Sequence, residues 1–182
     1  MKKIGLILGL IVFCTGVQAQ KYFTRVGEIS FFSSTSIENI EAHNKTVTAV
    51  FDVSSGAIQF SVTMKSFHFE KALMEEHFNE NYVESDEFPK STFKGHIVEV
   101  SKIDLKKEGN YLSEIKGKLT IHGVTKEINT QAQFTVKGEQ VIGEAKINVN
   151  PEDYGIEIPG VVREKIAKEL SIDVLMKFEE KK

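Results

Sequence analysis

The chain has 182 residues, enough for one domain with a substantial core, and 41% of them are hydrophobic. With 23 Lys+Arg against 26 Asp+Glu, its net charge of −3 provides no basic footprint for DNA or RNA, so no nucleic-acid partner is expected. This ordinary mixture, with a single cysteine, also excludes intrinsic disorder, collagen and a disulfide-stapled miniprotein.

Residues 1–19 read as an export signal. Lys2 and Lys3 form a basic start, residues 4–13 an apolar stretch, and Val17-Gln18-Ala19 a small-residue cleavage site, with the cut expected after Ala19. The apolar run is about half the ~20 residues a spanning helix needs. The expected location is the periplasm or the exterior, and residues 20–182 are expected to form a single domain. The only cysteine, Cys14, lies inside the signal, so the exported chain has no thiol for disulfides, catalysis or cysteine-based metal sites.

From residue 20 onward the dominant signal is a period of two. Strands are expected over 28–33, 47–53, 57–64, 92–100, 111–121, 124–136, 141–149 and 170–178. In 57–64, Ile58, Phe60, Val62 and Met64 share one face. In 124–136 the same holds for Val124, Ile128, Ala132, Phe134 and Val136. Leu170, Ile172, Val174, Met176 and Phe178 repeat it in the last segment. Turn signals fall between the runs at Ser54-Ser55-Gly56, Glu108-Gly109-Asn110, His122-Gly123 and Lys137-Gly138-Glu139. Asn44-Lys45-Thr46 matches a glycosylation acceptor, a tripeptide common by chance.

Three segments break the alternation. The phase slips between Met64 and Phe67, which predicts a bulge near Lys65-Ser66. Residues 70–83 (EKALMEEHFNENYV) space Leu73, Met74, Phe78 and Tyr82 helically, predicting a short amphipathic helix over one end of the domain, closed by Pro89. Residues 161–170 (VVREKIAKEL) predict a second helical piece. The expected fold is all-β: about eight antiparallel strands closing into a lipocalin-like barrel with a short helix capping one mouth. Closure removes exposed edges and leaves room inside for side chains or one small ligand. A two-sheet sandwich is the alternative.

Catalytic signatures are absent: there is no G-x-S-x-G, no P-loop and no G-x-G-x-x-G. The five histidines lack the spacings of a metal site, and the acidic run Glu75, Glu76, Glu84, Asp86 and Glu87 reads as a solvated helix face and exit loop. Neither an enzyme nor a cofactor protein is expected. What remains is the aromatic and aliphatic inward set. Phe51, Phe60, Val62, Phe67, Phe69, Phe78, Tyr82, Phe93 and Phe134 are the candidate ligand-binding residues. From the residues alone, a packed core explains them equally well.

Three stretches carry a family resemblance. HFNENYVESDEFPKSTFKG (77–95), KLTIHGVTKEI (118–128) and NPEDYGIEIPG (150–160) resemble characteristic blocks of the YceI-like family of exported bacterial proteins. The resemblance implies a periplasmic lipocalin-like barrel enclosing a polyisoprenoid or similar long-chain amphiphile, with homodimers in some members. It adds His122 and Tyr154 as candidate contacts, with Asp153 fixing a turn and Thr120 pairing with Thr125. The N-terminal part departs from the family pattern. Tyr22-Phe23 stands where a Trp is usual, and Ile29-Ser30-Phe31-Phe32-Ser33 lacks the expected His. The competing functional reading is a filled-core barrel acting as a stress-related or partner-interaction module.

Overall fold

The computed structural model describes residues 20–180; the expected export signal, with Cys14 and the expected cleavage site, lies outside the described residues. The alternating segments form β1 (Lys21–Ser34), β2 (Asn39–Asp52), β3 (Ala57–Thr63), β5 (Lys90–Ile97), β6 (Gly109–Ile121), β7 (Val124–Lys137), β8 (Gln140–Val149) and β9 (Leu170–Glu180). A two-residue strand, β4 (His68–Phe69), and a short helix, α1 (Ala72–His77), lie between β3 and β5. All eight expected strands are present. Their order is β1-β9-β8-β7-β6-β5-β3-β2, and antiparallel pairing of β1 with β2 closes the circuit. That closing ladder settles barrel against sandwich, because no edge remains open among these eight strands.

β1 and β2 are longer than the alternation suggested, and the reason is a change of phase in each. Tyr22 and Thr24 are buried, then Gly27, Phe31 and Ser33; in β2, Ala42 and Asn44 are buried, then Val47, Ala49 and Phe51. The register between the two strands shifts at Thr24/Gly27 and again at Gly27/Ile29, so bulges in both strands swap which parity faces inward. Gly27 leaves room at this crossing for the Met176 side chain: a Cβ there would stand 2.3 Å from the Met176 sulfur, which would have to shift. Asn44 stabilises the second bulge. Its Oδ1 accepts from the Thr46 N–H at 2.9 Å and the Thr46 hydroxyl at 3.0 Å, while its Nδ2 donates to the Thr63 carbonyl at 2.9 Å. The asparagine of the glycosylation tripeptide is therefore a buried structural residue.

Other departures are local. The slip near Lys65-Ser66 is a 3-10 turn over Met64–Ser66, closed by Phe67 N–H donating to the Met64 carbonyl. The turn expected at 108–110 is a wider connection, because Gly109 and Asn110 already belong to β6. The helix of 70–83 is present as α1, continuing as a wider π turn over Phe78–Tyr82. The second helical piece does not form. Only Gly160–Val162 makes a 3-10 turn, its bonds run three residues apart, and the Ser33 hydroxyl takes the Ala167 N–H at 2.8 Å. Pro159 starts that turn, and the capture of Ala167 draws the chain out into β9.

The barrel end away from α1 is filled by aromatic rings. Phe51 packs against Tyr22, Phe134 and Phe178 with centroids 6.2, 6.2 and 6.1 Å away, and both Phe51 and Phe178 are 0% exposed. Burial, and after it the nearby Glu180 and Glu139 carboxylates, raise the Tyr22 hydroxyl above its ordinary range, keeping it neutral. Phe51→Ala removes the ring at the centre of this plug. We expect a loss of ~3–5 kcal/mol in urea unfolding with an unchanged denaturant slope; a loss below about 1 kcal/mol would mean the plug repacks.

Candidate functional site

Above the aromatic plug the inward faces do not meet, and an apolar cavity runs up the barrel toward α1. This slot has a volume of about 160 Å³. Aliphatic walls dominate: Ile115 and Leu119 from β6, Ile128 and Ala132 from β7, Ile147 from β8, and Ile172, Val174 and Met176 from β9. Two of the hydroxyls along it are bonded to the protein. The Ser91 hydroxyl lies 3.1 Å from the Met64 sulfur, and the Thr130 hydroxyl donates to the Lys146 carbonyl at 2.9 Å. Glu144 borders the cavity from the outer, exposed parity of β8. Such a surface can hold hydrocarbon and has no means of orienting a polar substrate.

The candidate residues divide by position. Phe60, Val62, Phe67, Phe78, Phe93 and Phe134 line the slot. Phe51 lies beneath it in the plug. Phe69 and Tyr82 lie at the capped end, where a second apolar hollow of about 400 Å³ is enclosed by α1 and residues 156–170. Between the two hollows four rings interlock. Phe31 meets Phe67, Phe69 and Phe78 at 5.6, 5.7 and 5.5 Å, and Phe69 meets Phe78 at 5.1 Å. Burial raises the hydroxyls of Tyr82 and Tyr154 above the usual phenol range, so both remain neutral hydrogen-bonding groups. The aliphatic wall was visible in the alternation, but residue type alone favoured the phenylalanines over Ile115, Leu119 and Ile172 as candidates. Val83, Pro151 and Ile156, which close the capped end, were not among the candidates because they lie outside the alternating strands.

His122 and Tyr154 face away from the slot and hold the cap. The β6–β7 turn has two residues, His122 at φ +49° and Gly123 at φ +73°, the left-handed pair of a type I′ hairpin. His122 adopts that backbone with both ring nitrogens engaged: Nδ1 lies 3.2 Å from the Tyr154 carbonyl and Nε2 2.7 Å from a Glu84 carboxylate oxygen. The carbonyl only accepts, so Nδ1 carries a proton, and a ring protonated on both nitrogens donates to both partners. Phe88 packs edge-on at 4.4 Å. Thr120 and Thr125 pair across the hairpin at 2.8 Å. The turn at 151–154 is capped by Asn150, whose Oδ1 accepts the Glu152 N–H, while Asp153 reaches toward Lys126 at 4.0 Å.

A closed eight-stranded antiparallel barrel with an internal apolar slot and a helical cap defines a lipocalin-like barrel. The chain matches the YceI-like domain over residues 22–178 and belongs to the YceI-like family. A UPF0312 protein of Pseudomonas fluorescens (strain SBW25) is 32% identical over 75 residues, covering 38% of this chain and 39% of that protein. The match therefore spans about two fifths of the length of that relative. Among solved structures, a polyisoprenoid binding domain from Saccharophagus degradans implicated in plant cell wall breakdown superposes with a TM-score of 0.75 at 14% identity, covering 90% of this chain and 100% of that one. Burkholderia cenocepacia BcnA superposes at 0.70 with 16% identity, over 83% and 95% of the two chains. At these identities the likeness establishes the fold.

The His122 side chain is 12% exposed, and its loss removes one part-buried bond to the Tyr154 carbonyl and one exposed bond to Glu84. His122→Ala should destabilise the protein by about 1–3 kcal/mol in chemical denaturation. A change under about 0.5 kcal/mol would show that the cap is held by other contacts.

Proposed function

We propose that the protein is an exported barrel that binds one long apolar chain, a polyisoprenoid or similar amphiphile, as its carrier or store. The observation that supports this most directly is the slot itself: internal to the barrel and walled by aliphatic and aromatic side chains, with the Ser91 and Thr130 hydroxyls already bonded to the protein. The basic, apolar and small-residue segments of residues 1–19 support export. The solved Saccharophagus degradans relative, a polyisoprenoid binding domain, supports the ligand class.

Chain length should decide affinity. Each buried methylene contributes ~0.8 kcal/mol, so about a dozen contribute ~10 kcal/mol. Association costs ~4–15 kcal/mol in lost freedom. Short chains therefore bind weakly, and longer ones bind tightly until the slot is full. Titration with geraniol, farnesol and geranylgeraniol should give successively lower dissociation constants; a flat series would argue against slot binding. Ala145→Phe places a ring in the slot, and we expect at least about tenfold weaker geranylgeraniol binding in a folded protein.

Native mass spectrometry of the protein recovered after export, with solvent extraction of the same sample, tests the reading directly. A chain starting at Gln20 and carrying one isoprenoid or acyl adduct is the expected result, and the same spectrum reports whether two copies associate. A bare mass, unchanged after incubation with polyprenyl lipid, favours the packed-barrel interaction module.

A further inference from the structure

If the slot holds a lipid chain, the chain needs a way in, and aromatic rings crowd both ends of the barrel. One end is filled by Phe51 and its three aromatic neighbours, the other by the interlocked Phe31, Phe67, Phe69 and Phe78. The wall is nearly continuous as well. Where β2 outruns β3, Asn44 bridges to Thr63 and β4 resumes the pairing. Where β1 leaves register with β9, Met176 lies against Gly27.

The β7–β8 seam is different. Its ladder runs from Lys137↔Gln140 to Ala132↔Ala145 and stops there, although β7 continues to Val124 and β8 to Val149. Each strand keeps its other partner over this stretch, β7 with β6 and β8 with β9, so the two diverge without fraying. Ile128 and Ile147 line the slot at this divergence, and both are only partly buried. Two side-chain contacts span it: the Thr130 hydroxyl to the Lys146 carbonyl at the lower end, and Lys126 to Asp153 at 4.0 Å at the upper end. The ion pair is about half exposed on both sides, a type of contact that adds little to stability. Opening the seam breaks no backbone ladder, whereas opening the capped mouth must separate four packed rings and the His122 clamp.

We propose that the slit between residues 124–131 of β7 and residues 146–149 of β8 is a side port through which an apolar chain threads into the slot. Ile128 and Ile147 form its lips, and the Lys126–Asp153 pair is its latch. The slit is bounded by strands that remain paired on their far sides, so it widens by bending rather than unfolding. A linear prenyl or acyl chain can pass sideways through such an opening, whereas a fused-ring lipid is excluded.

This inference rests on the lipid-binding reading, and its test separates the two. Asn129→Cys and Asn148→Cys, introduced with Cys14→Ser, put one thiol on the exposed face of each strand at the slit and leave the slot lining intact. The probe is anthranilate-labelled geranylgeraniol, with exchange followed by fluorescence and disulfide formation verified by mass. In the oxidised protein, probe exchange should slow at least about tenfold and recover on reduction, with the stoichiometry of preloaded probe unchanged. Lys126→Ala, which removes the latch without a cross-link, should accelerate exchange severalfold. Equal exchange in the oxidised and reduced forms overturns the port and assigns the route to the capped mouth. Where the disulfide fails to form, an unchanged exchange rate in Lys126→Ala overturns it equally. A parent protein that binds no probe at all overturns the lipid-binding reading itself, and the port with it.

Discussion

The closing ladder between β1 and β2 is the constraint on which the rest of the structure depends. It turns a meander with two exposed edges into a tube and so commits one parity of every strand to the interior. The ladder is long, running from Lys21↔Asp52 to Ser34↔Asn39, and a single parity along it would turn polar residues inward. The facing bulges at 25–26 and 45–46 resolve this by changing parity in both strands near the same level. Asn44 and Gly27 are the residues through which that change is made, one by hydrogen bonding the loosened backbone, the other by leaving space for Met176.

Within the tube, function follows from where aromatic rings gather and where they thin out. Rings crowd the two ends; between them the walls are mostly Ile, Leu, Val and Ala, whose bulk leaves the axis unfilled. A barrel of this circumference with phenylalanine at every level would be solid. The distribution of ring sizes along the axis, rather than overall hydrophobicity, decides whether such a barrel has a hollow interior.

Much of this was legible in the residues. Six of the strands announced themselves because their apolar positions keep one parity from end to end, as in Ile58-Phe60-Val62 and Leu170-Ile172-Val174-Met176-Phe178. β1 and β2 were seen only in part, since their parity reverses midway and Asn44, Thr24 and Ser33 are buried polar residues. Residues 161–170 have helical spacing in Val161, Val162, Ile166 and Leu170, yet tertiary capture of Ala167 by Ser33 overrides it. The site was harder. Phe51 and Phe60 carry identical local signals, and only the height at which each strand crosses the barrel decides that one stoppers the slot and the other lines it. The seam between β7 and β8 left no mark, because each strand alternates normally and only their divergence matters.

The order of strands also governs when the protein can fold. β1 is flanked by β2 and β9, so one of its two neighbours is the final strand in sequence. During synthesis the β1–β2 hairpin and the following meander can form early, but the tube stays unrolled until Leu170–Glu180 arrives. Throughout that interval the outer edges of β1 and β8 are unpaired templates bearing aromatic and aliphatic side chains. A chain whose closure is so non-local folds slowly. The interval before that last strand docks is therefore when the chain is most open to aggregation and most in need of a chaperone's shielding.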